Sequence, residues 1–303
     1  PKSYTIKEFW VEEIARLHKA QNHSNAMTYK YSLLGFEKYV SMDIHFDKIN
    51  YAWLLNTETL MREKGLKTNT IFTYLKTLRS IMNRAINLEY IDYSIYPFRR
   101  YKIKSGSTAP RNLSLEEMRT FFSYTPTSDK LKYAHDIGKL IFMLRGINYI
   151  DLALLTKDNI RKGRIVFHRS KTKKLYSIKI PNEAINILDE HSSVGECLLL
   201  SLISEDEYKQ KKKLPKSINQ KRRVFNDWLK KIGDSLGLEL SLSSYVFRYS
   251  HANICRQLGY SKDMISQSLG HQSGLRVTDA YLNDYDHELI DSMNRTVIDA
   301  VVK

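Results

Sequence analysis

The chain has 303 residues, 42% hydrophobic and 27% charged, with only 12 Gly and 6 Pro; this size favours two domains, and this composition a mostly helical protein with few long loops. Its 48 basic against 33 acidic residues leave a net charge of +15, which favours a polyanionic partner because each neutralised phosphate releases condensed counterions, with a membrane surface as the main competitor. A membrane span, a secreted disulfide scaffold and a structural zinc site are disfavoured: no run approaches about 18 apolar residues, no signal-peptide pattern opens the chain, and Cys197 and Cys255 lie far apart without C-x-x-C spacing, as suits a reducing cytoplasm.

The sequence begins at Pro1 rather than Met, as a fragment of a longer protein would. Its first hundred residues read as helices. Residues 4–20 carry Phe9, Trp10, Ile14 and Leu17 near helical spacing, and residues 27–39 carry Tyr31, Leu34 and Phe36. A third helix is expected over 51–63. The clearest spans 70–86, with Ile71, Leu75, Leu78, Met82 and Ala85 on one face. Its start, Lys67-Thr68-Asn69-Thr70, supplies capping side chains. These groups and the helix N-terminus are candidates to face phosphates, as are Lys76 and Arg79 farther along. A plain capped core helix accounts for each residue singly just as well.

Residues 104–112 lack periodicity and read as a linker. Immediately after it, Ser114-Leu115-Glu116-Glu117 has the form of a capping box, with Leu113 and Met118 placed to act as a hydrophobic staple. Two domains are therefore expected, over 1–103 and 113–303. The second is helical except for one hairpin: Ile165 and Phe167 alternate before Lys171-Thr172-Lys173-Lys174, and Tyr176, Ile178 and Ile180 alternate after it until Pro181. Residues 209–231 are dense in Lys and Arg, including Lys221, Arg222 and Arg223. Such a run is ordinarily a solvated face; in a chain this basic, part of it is expected to track a nucleic-acid backbone. Residues 287–303 form an amphipathic pattern with Leu289, Ile290, Met293, Val297 and Val301.

The specific signal lies in three ordered segments: Ser243-Ser244-Tyr245-Val246-Phe247-Arg248, then Ser268-Leu269-Gly270-His271, then Thr278-Asp279-Ala280-Tyr281. Together they resemble the signature of the tyrosine recombinase (phage integrase) family: H-x-x-R, a later L-G-H, and a nucleophilic Tyr. The interval from Arg248 to His271 is that of the family, while Tyr281 comes one position later than is commonest. The chain resembles in particular the integrases and invertases of Bacteroidetes mobile elements, where the R-G-x-x-x-x-D pattern seen from Arg145 to Asp151 also occurs. The resemblance covers nearly the whole chain. It implies a mainly α fold with a small β-sheet: an N-terminal helical core-binding (SAM-like) domain, a linker, and a C-terminal tyrosine-recombinase catalytic domain.

The chemistry explains these residue types. A phosphodiester is anionic and resists attack, so cleavage needs cations around its non-bridging oxygens. Arginine suits this because its planar fork donates two hydrogen bonds and stays charged. A tyrosine nucleophile forms a covalent phosphotyrosyl intermediate that retains the ester's energy, so rejoining needs no ATP; no metal or other cofactor is expected where the protein supplies the positive charge. Arg248 is the candidate phosphate clamp, with a surface salt bridge as its plain alternative. His271 would donate a hydrogen bond to the phosphate or manage the tyrosine proton; a His after Gly is otherwise a cap or a buried donor. Tyr281 is one of 20 tyrosines and is selected by position alone. Tyr285, four residues onward, is the runner-up. The resemblance makes Lys171 the hairpin lysine that acts as general acid toward the leaving 5′-oxygen. Lys173 and Lys174 are close enough to be confused with it, and a solvated hairpin charge is the alternative.

Two positions depart from the family pattern. Its first arginine lies in a helix as G-x-R-x-x-E-L, and alignment on Gly146 to Leu152 places Asn148 there. Arg145 is three residues earlier, so on a continuous helix it occupies nearly the same face one turn back. Arg145 is therefore the candidate first arginine. A helix that begins only after Gly146 removes that argument and makes Asp151 a structural residue. The second departure is Tyr245, where the family generally has His; its phenol can donate to phosphate but carries no positive charge near neutral pH. A packing aromatic is the equal alternative.

The resemblance implies a site-specific recombinase acting on double-stranded DNA, with two domains clamping a specific recombination site and four protomers synapsing two sites. It further implies a 3′-phosphotyrosyl link, a Holliday junction and a bacterial cytoplasmic location, with no membrane partner. The enzyme rival is a type IB-like topoisomerase. The non-enzyme rival is a catalytically weak or inactive DNA-binding relative, kept open by Asn148 and Tyr245. In the family the C-terminal segment often packs into a neighbouring subunit; folding back on its own domain fits the same pattern.

Overall fold

The computed structural model describes residues 4–107, 109–270 and 286–302. The chain divides into two compact units, Pro1–Ala109 and Pro110–Lys303, so the division falls inside the stretch read as a linker.

The N-terminal unit contains α1 (Ile6–Lys19), α2 (His23–Phe36), α3 (Tyr51–Glu63) and α4 (Thr68–Asn87). A capping box starts α1: the Thr5 hydroxyl accepts the Glu8 N–H at 3.3 Å, and the Glu8 carboxylate accepts the Thr5 N–H at 2.9 Å. Phe9 and Trp10 of α1 and Phe36 of α2 are fully buried with Met61, Leu75 and Met82. The α4 face read from the sequence, Ile71, Leu75, Leu78, Met82 and Ala85, is all buried. Two expectations fail here. On α2 the inward residues are Ala26, Leu33 and Phe36, while Tyr31 and Leu34 are exposed, because this helix is apolar on both faces and periodicity alone does not select one. The stretch before α4 does not cap it through side chains. The helix begins two residues earlier than read, so Thr68 and Asn69 sit in its first turn; Thr68 accepts from the Arg62 guanidinium at 3.2 Å and Asn69 from the Gly106 N–H at 2.9 Å.

The C-terminal unit opens with α5 (Leu115–Ser123), whose capping box has Ser114 accepting the Glu117 N–H at 3.2 Å and Glu117 accepting the Ser114 N–H at 2.7 Å. Leu113 and Met118 are both buried in the core beneath it. There follow α6 (Asp129–Met143), α7 (Tyr149–Ala153), β1 (Ile160–Arg161), β2 (Arg164–His168), β3 (Leu175–Lys179), α8 (Asn182–Glu190), α9 (Glu205–Lys209), α10 (Leu214–Ser235), α11 (Ser244–Gln257), α12 (Lys262–Ser268) and α13 (His287–Val302). The strands form an antiparallel sheet in the order β1-β2-β3. Ile165 pairs with Ile178 and Phe167 with Tyr176, all four buried, as strict alternation requires. The two-residue β1 is too short to show a period in the sequence. Helix α6 runs through the core against α8, α10 and α11.

Helix α13 packs on α5, α11 and β3 of its own unit. Ile290, Met293, Val297, Ile298 and Val301 face inward, whereas Leu289 is exposed. Polar ties fix its position. Asn294 accepts from His251 and donates to the Met143 carbonyl, both at 2.9 Å, and Arg119 donates to the Ala300 carbonyl at 2.9 Å.

Candidate active site

Helix α11 starts where the Ser244 N–H donates to Asn226 of α10 at 2.9 Å, and its inward face carries Phe247, Arg248 and His251. Arg248 is only 5% exposed. Its two terminal nitrogens reach different segments: Nη1 donates to the Gly146 carbonyl at 2.7 Å and Nη2 to the Leu269 carbonyl at 2.6 Å. Gly146 has φ +62°, and a Cβ there would stand 2.7 Å from the Arg248 Cα, so glycine is needed both for the turn and for the close approach. Burial pushes the Arg248 guanidinium below its ordinary pKa, opposed by Tyr176; arginine nevertheless stays protonated. Tyr245, one turn earlier, is 51% exposed and meets Tyr249 edge-on at 5.1 Å. It lies at the surface rather than in the core.

The segment carrying Arg145 departs from the helical reading. Helix α6 ends at Met143, Arg145 and Gly146 are both left-handed at φ 56° and 62°, and α7 begins at Tyr149 with Asn148 as its N-cap. Arg145 therefore does not lie one helical turn behind Asn148, and that geometric route to the phosphate is corrected. The consecutive left-handed residues instead reverse the chain and turn the side chain inward. Arg145 is 2% exposed and pairs with Asp291 of α13. Asp291 also accepts from Arg164 of β2 at 2.5 Å, and Arg164 in turn donates to Ser177 of β3 at 2.7 Å. The Arg145 Nε is buried without a hydrogen-bond partner. Burial lowers the Arg145 pKa, opposed by Tyr176 and Asp291.

Lys171 is exposed in the turn between β2 and β3, as are Lys173 and, in part, Lys174. Beneath it lies a buried network. Asp151 of α7 accepts the Ser170 N–H at 2.8 Å and pairs with Arg169 at 3.4 Å. Arg169 Nη1 donates to the Leu269 and Gly270 carbonyls at 2.8 and 2.9 Å, and the Tyr176 hydroxyl donates to the Ser268 carbonyl. Gly270 (φ +62°) leaves no room for a Cβ, which would come within 2.8 Å of both Arg169 and Tyr176. His271, Tyr281 and Tyr285 lie outside the described residues.

The candidate DNA contacts fall on and before α4 in the N-terminal unit and on α10 in the C-terminal unit. Around α4, Lys67, Asn69, Lys76 and Arg79 are exposed, with Thr68 and Thr70 partly so. On α10, Lys221, Arg222 and Arg223 are exposed; Lys221 lies 4.0 Å from Glu207 and Arg222 donates to Asn219 at 3.0 Å. Among the described residues, ligand atoms of Asp136, Glu190 and His191 lie within 4.8 Å of one another, but Lys132 already bridges the two carboxylates. No described helix is long and apolar enough to cross a membrane.

Sequence reasoning passed over Arg169, Arg164, Tyr176 and Asp291 as site residues. For Arg169 a signal existed. Continuing the alternation of Ile165 and Phe167 puts position 169 on the buried face, and an arginine there needs a partner. Asp291 stands three residues before the buried Asn294, on the edge of the inward stripe of α13.

Residues 5–103 match the family model of the phage integrase SAM-like domain. The fold is similar over 96% of this chain, and 99% of the other, to the Tn1549 transposon integrase in complex with transposon right end DNA, at TM-score 0.66 and 12% identity. It is similar over 92% of this chain and 97% of the other to a lambda integrase dimer bound to a COC′ core site, at TM-score 0.61 and 16% identity. XerH site-specific recombinase bound to palindromic difH substrate matches 88% of this chain and 76% of its own, at TM-score 0.53 and 16% identity. No curated protein matches the sequence. Residues 5–103 thus match a phage integrase SAM-like domain, and the chain shares the fold of these integrases, mainly α with a three-stranded sheet.

Proposed function

We propose that the chain is a site-specific DNA recombinase of the integrase type, with Tyr281 as nucleophile and Arg248, Arg145, Lys171, His271 and Tyr245 around the scissile phosphate. One observation carries the reading: Arg248 joins the Gly146 and Leu269 carbonyls, so segments matching the family's motifs in order are also adjacent in space. The Tyr281 oxygen passes its proton to His271 and bonds to phosphorus, and the bond from phosphorus to the 5′-oxygen breaks. Lys171 protonates that oxygen. Attack by a partner strand's 5′-hydroxyl reverses the bonds and releases Tyr281. The arginines carry the charge developing on the non-bridging oxygens, so the scheme needs neither metal nor ATP. Lys67, Lys76, Arg79 and Lys221 to Arg223 would neutralise backbone phosphates, Thr68, Asn69 and Thr70 would hydrogen-bond to them, and four protomers would synapse two sites through a Holliday junction in a bacterial cytoplasm.

A second reading, a DNA-binding relative without strand transfer, draws on Asn148, on Tyr245 and on the Arg145 guanidinium being held by Asp291. A suicide duplex separates the two. The protein first selects its site from a random-sequence pool, and that site is then nicked so that cleavage releases a short fragment and rejoining is blocked. A covalent adduct that is lost in Tyr281→Phe and kept in Tyr285→Phe is expected. Tight binding with no adduct would establish the binding-only reading.

A further inference from the structure

We propose that Arg169 is a positioning residue for Lys171, anchoring the turn that presents the general acid. The inference rests on the recombinase reading of the site. Lys171 is exposed and lies two residues beyond Arg169. A lysine on a free turn would sweep a wide volume, yet protonating one particular 5′-oxygen requires placement to within a fraction of an ångström. Displacement by about 1 Å can cost roughly 10²-fold in rate. Something must hold the turn.

The turn is closed on Arg169 from both sides. The Arg169 N–H donates to the Lys174 carbonyl at 3.0 Å, and the Lys173 N–H donates to the Arg169 carbonyl at 2.9 Å. Lys173, at φ 57°, completes the tight reversal. The Arg169 side chain then ties this closed turn to two other elements. Nε donates to Asp151 of α7, whose other carboxylate oxygen accepts the Ser170 N–H, and Nη1 donates to the Leu269 and Gly270 carbonyls at the end of α12. At 4% exposure, the guanidinium commits Nε to Asp151 and Nη1 to the end of α12, so it ties the closed turn to both elements at once. Lysine cannot replace it, because one ammonium cannot span a carboxylate and two carbonyls in the geometry of a planar fork.

A leaving-group substitution tests the assignment. Full-length wild type, Arg169→Gln, Arg169→Lys and Lys171→Ala are compared on the suicide duplex with an oxygen, then a sulfur, at the scissile 5′-bridging position. A thiolate leaves without being protonated, so it bypasses the general acid. With oxygen, adduct formation in Lys171→Ala and both Arg169 variants is expected to fall on the order of 10²-fold, while DNA affinity stays within about threefold. With sulfur, all three are expected to return to within about tenfold of wild type. If Arg169→Gln is unfolded by thermal melt, Arg169→Lys, which keeps a charge opposite Asp151, decides the matter. Slowing that is equal on oxygen and sulfur, or no slowing at all, would overturn the positioning role. Wild type that binds both duplexes and forms no adduct on either would overturn the recombinase reading itself, and this inference with it.

Discussion

Among the described residues, the N-terminal unit buries Glu13, Ser32, Thr57 and Thr77 as its polar side chains, whereas the C-terminal unit buries Arg145, Arg169, Arg248, Asp151 and His251 with several others. Both units are basic enough to meet a polyanion, but they hold their cations differently. Around α4 the lysines and Arg79 stand in solvent, where a charge costs little and acts over a Debye length that salt shortens. In the C-terminal unit three guanidiniums have been taken out of water, which is unfavourable unless each finds acceptors. They find them in Asp151, Asp291 and the carbonyls of Gly146, Leu269 and Gly270. Exposed cations suit sequence-tolerant attraction to a backbone. Desolvated, fixed ones suit one task each: in the proposed reading, charge stabilisation for Arg145 and Arg248, and the hold on the Lys171 turn for Arg169.

Substitutions test this contrast. The largest effect is expected for Arg248→Ala, which should slow adduct formation on the suicide duplex by on the order of 10³-fold; a loss under tenfold would remove Arg248 from the phosphate. Asp151→Ala leaves the Arg169 cation buried without its carboxylate and should cost about 3 to 5 kcal/mol in urea unfolding. A change below about 1 kcal/mol would mean that the pair is solvated and the two units are not so different.

Acidification should weaken the C-terminal unit next. Burial holds His251 and His135 neutral, each lowered to about 4. Both gain protons on unfolding between that value and the ordinary 6.5, so stability is full above pH 6.5 and falls as pH drops toward 4, by up to about 3 kcal/mol per histidine. Peptide-resolved hydrogen exchange at pH 7 and at pH 5, corrected for intrinsic rates, would detect it, and an unchanged α6 and α11 would contradict it. The smallest effect belongs to the exposed set. Lys76→Ala or Arg79→Ala should shift stability by less than about 0.5 kcal/mol while lowering the dependence of log affinity on log salt by about one unit. An unchanged salt slope would take α4 off the DNA.

Where a feature depended on neighbours in sequence, it was readable. The Ser114 capping box, the alternation across β2 and β3, and the inward face of α4 all follow from local spacing and recur in the fold. The inward face of α2 was misread because Leu33 and Leu34 are equally apolar, and only the packed helices choose between them. Arg145 shows the same limit at the site. A continuous helix would carry its side chain onto the face of Asn148, but a left-handed Arg145 beside a left-handed Gly146 breaks that helix and sends the guanidinium to Asp291. That partner is far along the chain, and no periodicity links the two.

The motif order from Arg145 through Tyr281, the chemistry those residue types permit and the mostly helical build are legible along the chain, because they rest on residue identity and short-range period. Which cations are desolvated, and what holds them, depends on packing. Arg169 is the clearest case: one basic residue among 48 in composition, and in the fold the tie between the Lys171 turn, Asp151 and the end of α12. The environment that gives a buried charge its partners is assembled from segments distant along the chain, so it exists only once they have packed.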